Sequence, residues 1–168
     1  MLIYKTFLVP LSVSRTLGES AKTITGEWKH SEFDSLESLG DRIKIVQFWT
    51  FGCWNCTATI PNLKELYGET SRDEFEIIGV HSPEFAYEKI WDNVEEACEK
   101  LGVNWIVVQD NNLKDFRSWQ SGGTGYWPRT FILDEANKIV LDKAGEGAYK
   151  EINQTVHDLI AKRRKTKT

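Results

Sequence analysis

Apolar residues recur along this chain with two different spacings, and the switch from one to the other marks out its elements. Ile43 to Phe51 is a nearly continuous apolar and aromatic run broken by Lys44 and Gln47, as expected of a strand covered on both faces. Phe75 to Val80 and Trp105 to Val108 repeat that pattern. Thr130 to Leu133 and Ile139 to Leu141, joined through a turn near Glu135 to Asn137, predict a hairpin. Between these runs the spacing becomes helical. Ile60, Leu63, Leu66 and Tyr67 trace one face of a helix that opens at Cys53 and stops near Gly68, with a kink expected at Pro61. Ile90, Trp91, Val94, Ala97, Cys98 and Leu101 do the same from about Glu88 to Leu101. A short helical piece is expected over Leu113 to Trp119, and a final helix from Tyr149 to about Lys162 carries Ile152, Val156, Leu159 and Ile160. Another helix is expected over Glu27 to Leu39, where Ser31 and Asp34 form a cap and Phe33, Leu36 and Leu39 recur at every third position.

Alternating strands and helices followed by a hairpin and a helix describe an α/β three-layer architecture with a central mixed sheet. A chain of 168 residues is long enough for one core and shows no internal repeat or linker. Residues 1–22 are expected to form a loosely held arm, 23–162 the folded domain, and 163–168 a solvated basic tail.

Charge and hydropathy narrow the partners. With 21 basic against 25 acidic residues, the chain lacks the positive footprint of a nucleic-acid binder. No stretch approaches the roughly 18 apolar residues of a membrane span. Met1 to Val13 is a poor signal peptide, because Pro10 interrupts its apolar run and no small-residue cleavage site follows. On that ground the expected compartment is the cytoplasm.

Three cysteines, Cys53, Cys56 and Cys98, cannot make an even disulfide framework. Cys98 lies on an apolar helical stripe and reads as core. Cys53 and Cys56 instead open a helix, where unsatisfied backbone N–H groups stabilise a thiolate. A purely structural bond across so short a loop would contribute only about 2 kcal/mol in the chain-entropy treatment. Zinc is disfavoured, since no second CxxC exists and His30, His81 and His157 do not follow at finger spacing. Peroxidase chemistry is a further alternative: Thr50 stands before Cys53 as a threonine does in peroxiredoxins, although Val46 occupies the position where that family has proline.

The string Phe48-Trp49-Thr50-Phe51-Gly52-Cys53-Trp54-Asn55-Cys56 resembles thioredoxin-like proteins of the TlpA and DipZ-like group. Three more blocks follow in the same order: Gly79-Val80-His81-Ser82-Pro83-Glu84-Phe85, Tyr126-Trp127-Pro128 and Gly145-Glu146-Gly147-Ala148-Tyr149. The resemblance implies a thioredoxin fold with an insertion over Glu84 to Gln120, and thiol-disulfide exchange in which Cys53 attacks and Cys56 resolves, with Trp54 and Asn55 between them. It implies that Pro128 is a cis-proline facing the disulfide and that the Trp127 backbone pairs with an extended substrate. Arg129, next in the chain, is then expected beside the disulfide, and Trp49, Trp54 and Trp127 are expected to wall the site. No bound cofactor or metal is called for. The implied partners are protein thiols and disulfides and an upstream redox partner, and the resemblance makes an extracytoplasmic location the alternative to the cytoplasm. Two departures stand out. Gln47 occupies the place of the buried acid of thioredoxins, and Thr59 that of a glutamate in many TlpA-like proteins. Glu84 and His81, at the end of the neighbouring strand, are the candidate proton acceptors in their stead. An interaction module that has lost turnover is the rival reading.

Overall fold

The two faces of the sheet follow from the alternation of side chains along its central strands. In the computed structural model, which describes residues 16–120 and 125–168, the strands are β1 (Glu27–Lys29), β2 (Ile43–Trp49), β3 (Phe75–His81), β4 (Ile106–Gln109), β5 (Arg129–Leu133) and β6 (Ile139–Ala144). They form one sheet in the order β1-β4-β3-β2-β5-β6. Strands β2, β3 and β4 are mutually parallel, while β1, β5 and β6 each pair antiparallel with their neighbours. All seven residues of β2 are buried, as are those of β3, so neither strand shows the one-sided polarity of a surface strand.

Ile43, Ile45 and Trp49 of β2 point to a core shared with α1 (Trp54–Gly68), α2 (Trp91–Leu101) and α4 (Tyr149–Thr166). Val46 and Phe48 point to the opposite core, where α3 (Lys114–Trp119) contributes Phe116 and Trp119. Residues Glu84 to Gln120 comprise a 3₁₀ turn at Ala86–Lys89, α2, β4 and α3. Pro61 lies within α1, which continues to Gly68.

Three expectations are corrected. The helix over Glu27 to Leu39 does not form: Glu27–Lys29 is a strand added to the edge of β4, His30 turns the chain at φ 57°, and Leu36 and Leu39 are buried from turns. Ser31 accepts the Phe33 N–H within a turn instead of capping a helix. The helix expected from Glu88 begins at Trp91, after the 3₁₀ turn. The basic end is not a frayed tail, because α4 runs to Thr166, Arg163 is buried against Asp41, and Arg164 and Lys167 pair with Glu74 and Asp41. Of the expected arm, residues 1–15 lie outside the described residues; the rest is tied to the hairpin by Gly18 N–H to Ile139 O and Ala21 N–H to Asn137 O, both 2.8 Å. Residues 121–124 also lie outside the described residues.

Buried Asp115 of α3 holds β1 in place by accepting from the Thr25 N–H and hydroxyl and, at 2.8 Å, from the Gly26 N–H. Hydrogen bonds to a charged acceptor are each worth about 1.5 to 3 kcal/mol. Asp115→Ala should therefore lower stability by about 2 kcal/mol or more in urea unfolding, with an unchanged value refuting this anchoring role.

Candidate active site

A sharp strand-to-helix turn carries the cysteine pair. β2 ends at Trp49, and Cys53 caps α1 in an extended conformation, φ −91° and ψ 114°. The Cys56 N–H donates to Cys53 Sγ at 3.2 Å, so the sulfur occupies the place of a capping oxygen at the positive end of the helix. The first turn of α1 contains no acidic residue to oppose a negative sulfur. Cys53 and Cys56 are disulfide-bonded, with Cα atoms 5.2 Å apart. Their exposure differs: Cys53 is half-buried, whereas Cys56 is wholly buried.

Both departures from the family pattern belong to one polar cluster beneath Cys56. The Gln47 amide donates to Thr59 Oγ1 at 3.1 Å and to Thr130 Oγ1 at 3.2 Å, and the Thr59 hydroxyl donates to the Cys56 carbonyl at 2.7 Å. The cluster is neutral and hydrogen-bonded throughout, so it holds the turn at Cys56 without a buried charge.

His81 and Glu84 separate in space. His81 is fully buried, and its Nε2 accepts from the Phe51 N–H and lies against the Thr50 hydroxyl, both at 3.3 Å. Burial pushes its pKa down to about 4, partly offset by the charge of Glu88. This histidine is a neutral pin of the cysteine turn, and the Thr50 hydroxyl is engaged with it. The Glu84 side chain is exposed, while its N–H donates to Glu88 Oε2 at 2.6 Å. Glu88 is the buried acid of this region, and it was not singled out from sequence. In the chain it stands between Tyr87 and Lys89 with no pattern that marks it as buried. The available signal was Gly52: a Cβ there would overlap Glu88 Oε1 and come within 2.9 Å of Tyr87 Oη.

The second loop meets the cysteine turn through strand register. Phe48 of β2 lies opposite Arg129 of β5, which brings Pro128 to the end of β2 from which the turn departs. The Trp127–Pro128 peptide is cis. The Trp127 indole donates to Ser82 O at 2.8 Å and stacks on Phe116 at 4.2 Å between ring centroids. Trp54 is 85% exposed and Asn55 is also exposed, so this tip of α1 faces outward. Trp49, by contrast, is a core residue packed edge-on against His81, and it does not wall an open site. Nor does Arg129 stand beside the disulfide. Adjacent strand residues face opposite ways: Thr130 joins the cluster under Cys56, so Arg129 lies on the other face, over Phe131 and paired with buried Asp142. Among the described residues no cluster of His, Cys, Asp and Glu is arranged to hold a metal ion, and no helix is long and apolar enough to cross a membrane.

The AhpC/TSA family profile matches residues 17–141. The chain belongs to that family. It is 31% identical over 125 residues to Protein DipZ of Mycobacterium tuberculosis, a match covering 74% of this chain and 18% of DipZ. It therefore spans less than a fifth of that relative's length. The thiol-disulfide oxidoreductase YkuV of Bacillus subtilis is 19% identical over 82% of this chain and 92% of its own. In structure, the thiol:disulfide interchange protein DsbE of Chlorobium tepidum superposes with a TM-score of 0.73 at 15% identity, over 86% of this chain and 97% of that one. The fold is thioredoxin-like.

Two outcomes are expected from this geometry. His81 titrates near its ordinary 6.5 when unfolded and near 4 when folded, so the unfolded state binds the proton first as pH falls. Stability should be complete above pH 6.5 and decline by about 3 kcal/mol toward pH 4, at 1.36 kcal/mol per unit. Urea titrations of the wild type and His81→Gln should differ by that slope, and parallel curves would contradict it. In the reduced protein, iodoacetamide at neutral pH should label Cys53 first. Cys98, whose thiol burial pushes up to about 12, should react only after unfolding; equal rates in the native protein would dismiss the assignment.

Proposed function

We propose that the chain is a thiol-disulfide oxidoreductase acting on protein disulfides. The observation that carries this reading is the unequal cysteine pair: a half-buried Cys53 sulfur capping a helix N-terminus and a wholly buried Cys56 that supplies the capping N–H. In the reduced state the Cys53 thiolate attacks one sulfur of a substrate disulfide, the substrate S–S bond breaks, and the other substrate sulfur leaves as a thiolate. Cys56 then gives up its proton and attacks Cys53 Sγ, which releases the second substrate thiolate and leaves the Cys53–Cys56 disulfide. Two electrons pass to the substrate. A dithiol partner upstream restores the pair.

Trp54, Asn55 and the Trp127–Pro128 segment border the pair and form its docking edge, with the Trp127 backbone pairing to an extended substrate segment as in strand addition. The Thr50 hydroxyl, engaged with His81, gives no support to the peroxidase alternative.

Without the resolving thiol, the intermediate has no exit. Cys56→Ser should accumulate mixed disulfides between Cys53 and partner proteins on non-reducing gels, cleared by dithiothreitol, and Cys53→Ser should trap none. Wild-type protein should also accelerate the reduction of insulin by dithiothreitol. If neither trapping nor acceleration occurs while partners are still recovered without a covalent bond, the interaction-module reading replaces this one.

A further inference from the structure

Glu88 is a fully buried carboxylate that the mechanism above does not use. It sits in the 3₁₀ turn after β3, where Oε2 accepts from the Glu84 and Phe85 N–H groups at 2.6 and 3.1 Å. Its other oxygen, Oε1, is buried and has no hydrogen-bond partner. That oxygen points at the cysteine turn, since a Cβ on Gly52 would overlap it. Standard bond lengths and the 3.8 Å Cα spacing then place Oε1 within about 8 Å of the Cys53 Cα.

No cation neutralises the group: Glu88 forms no ion pair among the described residues, and its neighbours are the neutral His81, the Tyr87 hydroxyl and the backbone of Gly52. His81 Nδ1 is likewise buried without a partner. The exposed Glu84 and Lys89 flank it in the chain with their side chains in solvent.

We infer that Glu88 is a positioning residue that sets the reduction potential of the Cys53–Cys56 pair, its buried negative charge opposing the Cys53 thiolate and so favouring the disulfide. This rests on the thiol-disulfide reading. The helix N-terminus stabilises the thiolate and Glu88 destabilises it, so the pair is held more reducing than its capping geometry alone would make it. The group occupies neither of the positions where the family carries its acids; it reaches the turn from the opposite side, out of the insertion.

The test equilibrates the full chain with glutathione buffers, where the pair's disulfide plus two glutathione thiols gives the dithiol plus glutathione disulfide, and reads the reduced fraction by alkylation gel shift. Glu88→Gln keeps an acceptor for the Glu84 and Phe85 N–H groups and removes the charge. It should shift the equilibrium about tenfold toward the dithiol, equal to about 30 mV for a two-electron couple, and speed Cys53 alkylation at neutral pH by a similar factor. Glu88→Asp, which keeps the charge, should stay within about threefold of wild type on the same scale. Gly52→Ala displaces Oε1 without touching its cap and should shift in the direction of Glu88→Gln; it decides the matter alone if Glu88→Gln does not fold. An unchanged potential in Glu88→Gln, a shift toward the disulfide, or equal shifts in Glu88→Gln and Glu88→Asp would overturn the inference. A wild-type pair that fails to equilibrate with glutathione would overturn the thiol-disulfide reading itself.

Discussion

The hydrogen bond from the Cys56 N–H to Cys53 Sγ is the interaction on which the proposed chemistry of this chain rests, and it forms at the turn between β2 and α1. Four backbone groups fix that turn. The Cys53 N–H donates to Thr50 O, the Ser82 N–H to Trp49 O, and the Phe51 N–H to His81 Nε2, while the Thr57 N–H closes the first helical turn on Cys53 O. His81 can accept only while neutral. Its burial between Trp49 and Phe51, which keeps it neutral, is therefore the same feature that keeps the turn in register. A protonated ring would aim a donor at the Phe51 N–H.

Strand alternation decides which neighbours the cysteine pair acquires. On β2 and β5, Gln47 and Thr130 face α1 and meet beneath Cys56, whereas Phe48 and Arg129 face α3. A residue adjacent to Pro128 in the chain is thus removed from the disulfide by the whole thickness of the sheet. Arg129 takes Asp142 of β6 as its partner, a buried pair that locks the hairpin and leaves the cysteine site without a fixed cation from that strand. Proximity along a strand predicts the face for alternate residues only.

Much of this was legible from the chain. The long apolar runs and the helical stripes located β2 to β6 and the principal helices, because buried strands and amphipathic helices leave periodic signals that need no distant partner. The CxxC at a helix start and the core role of Cys98 were legible from the same spacing, and the block around Pro128 from the resemblance to thioredoxin-like proteins. What failed depended on contacts far apart in sequence. Glu27 to Lys29 became a strand because the open edge of β4 offers unpaired backbone groups and Asp115 anchors the preceding residues, outweighing a three-residue spacing that Leu36 and Leu39 satisfy from turns. Arg163 and Arg164 read as solvated charges until Asp41 and Glu74 came within reach. Glu88 is wholly buried within a stretch whose neighbours Phe85, Tyr87, Lys89 and Ile90 are exposed, and no periodicity marks it out.

The two departures from the family pattern, Gln47 and Thr59, are a single change in physical terms. Gln47 donates to Thr59 and Thr130, and the Thr59 hydroxyl donates to the Cys56 carbonyl, so each member satisfies the next. A carboxylate placed at position 47 alone would need both threonine hydroxyls as donors. Thr59 would then turn its hydroxyl away from the Cys56 carbonyl, and the cluster would bury a charge in place of a neutral amide. A glutamate at position 59 would put a carboxyl group where a small hydroxyl now links Gln47 to the Cys56 carbonyl. Gln47 and Thr59 are thus matched to each other through a direct hydrogen bond. The consequence for the pair is specific. Cys56 rests on a neutral floor, while the buried carboxyl group of Glu88 faces the pair from the other side, across the turn at Gly52.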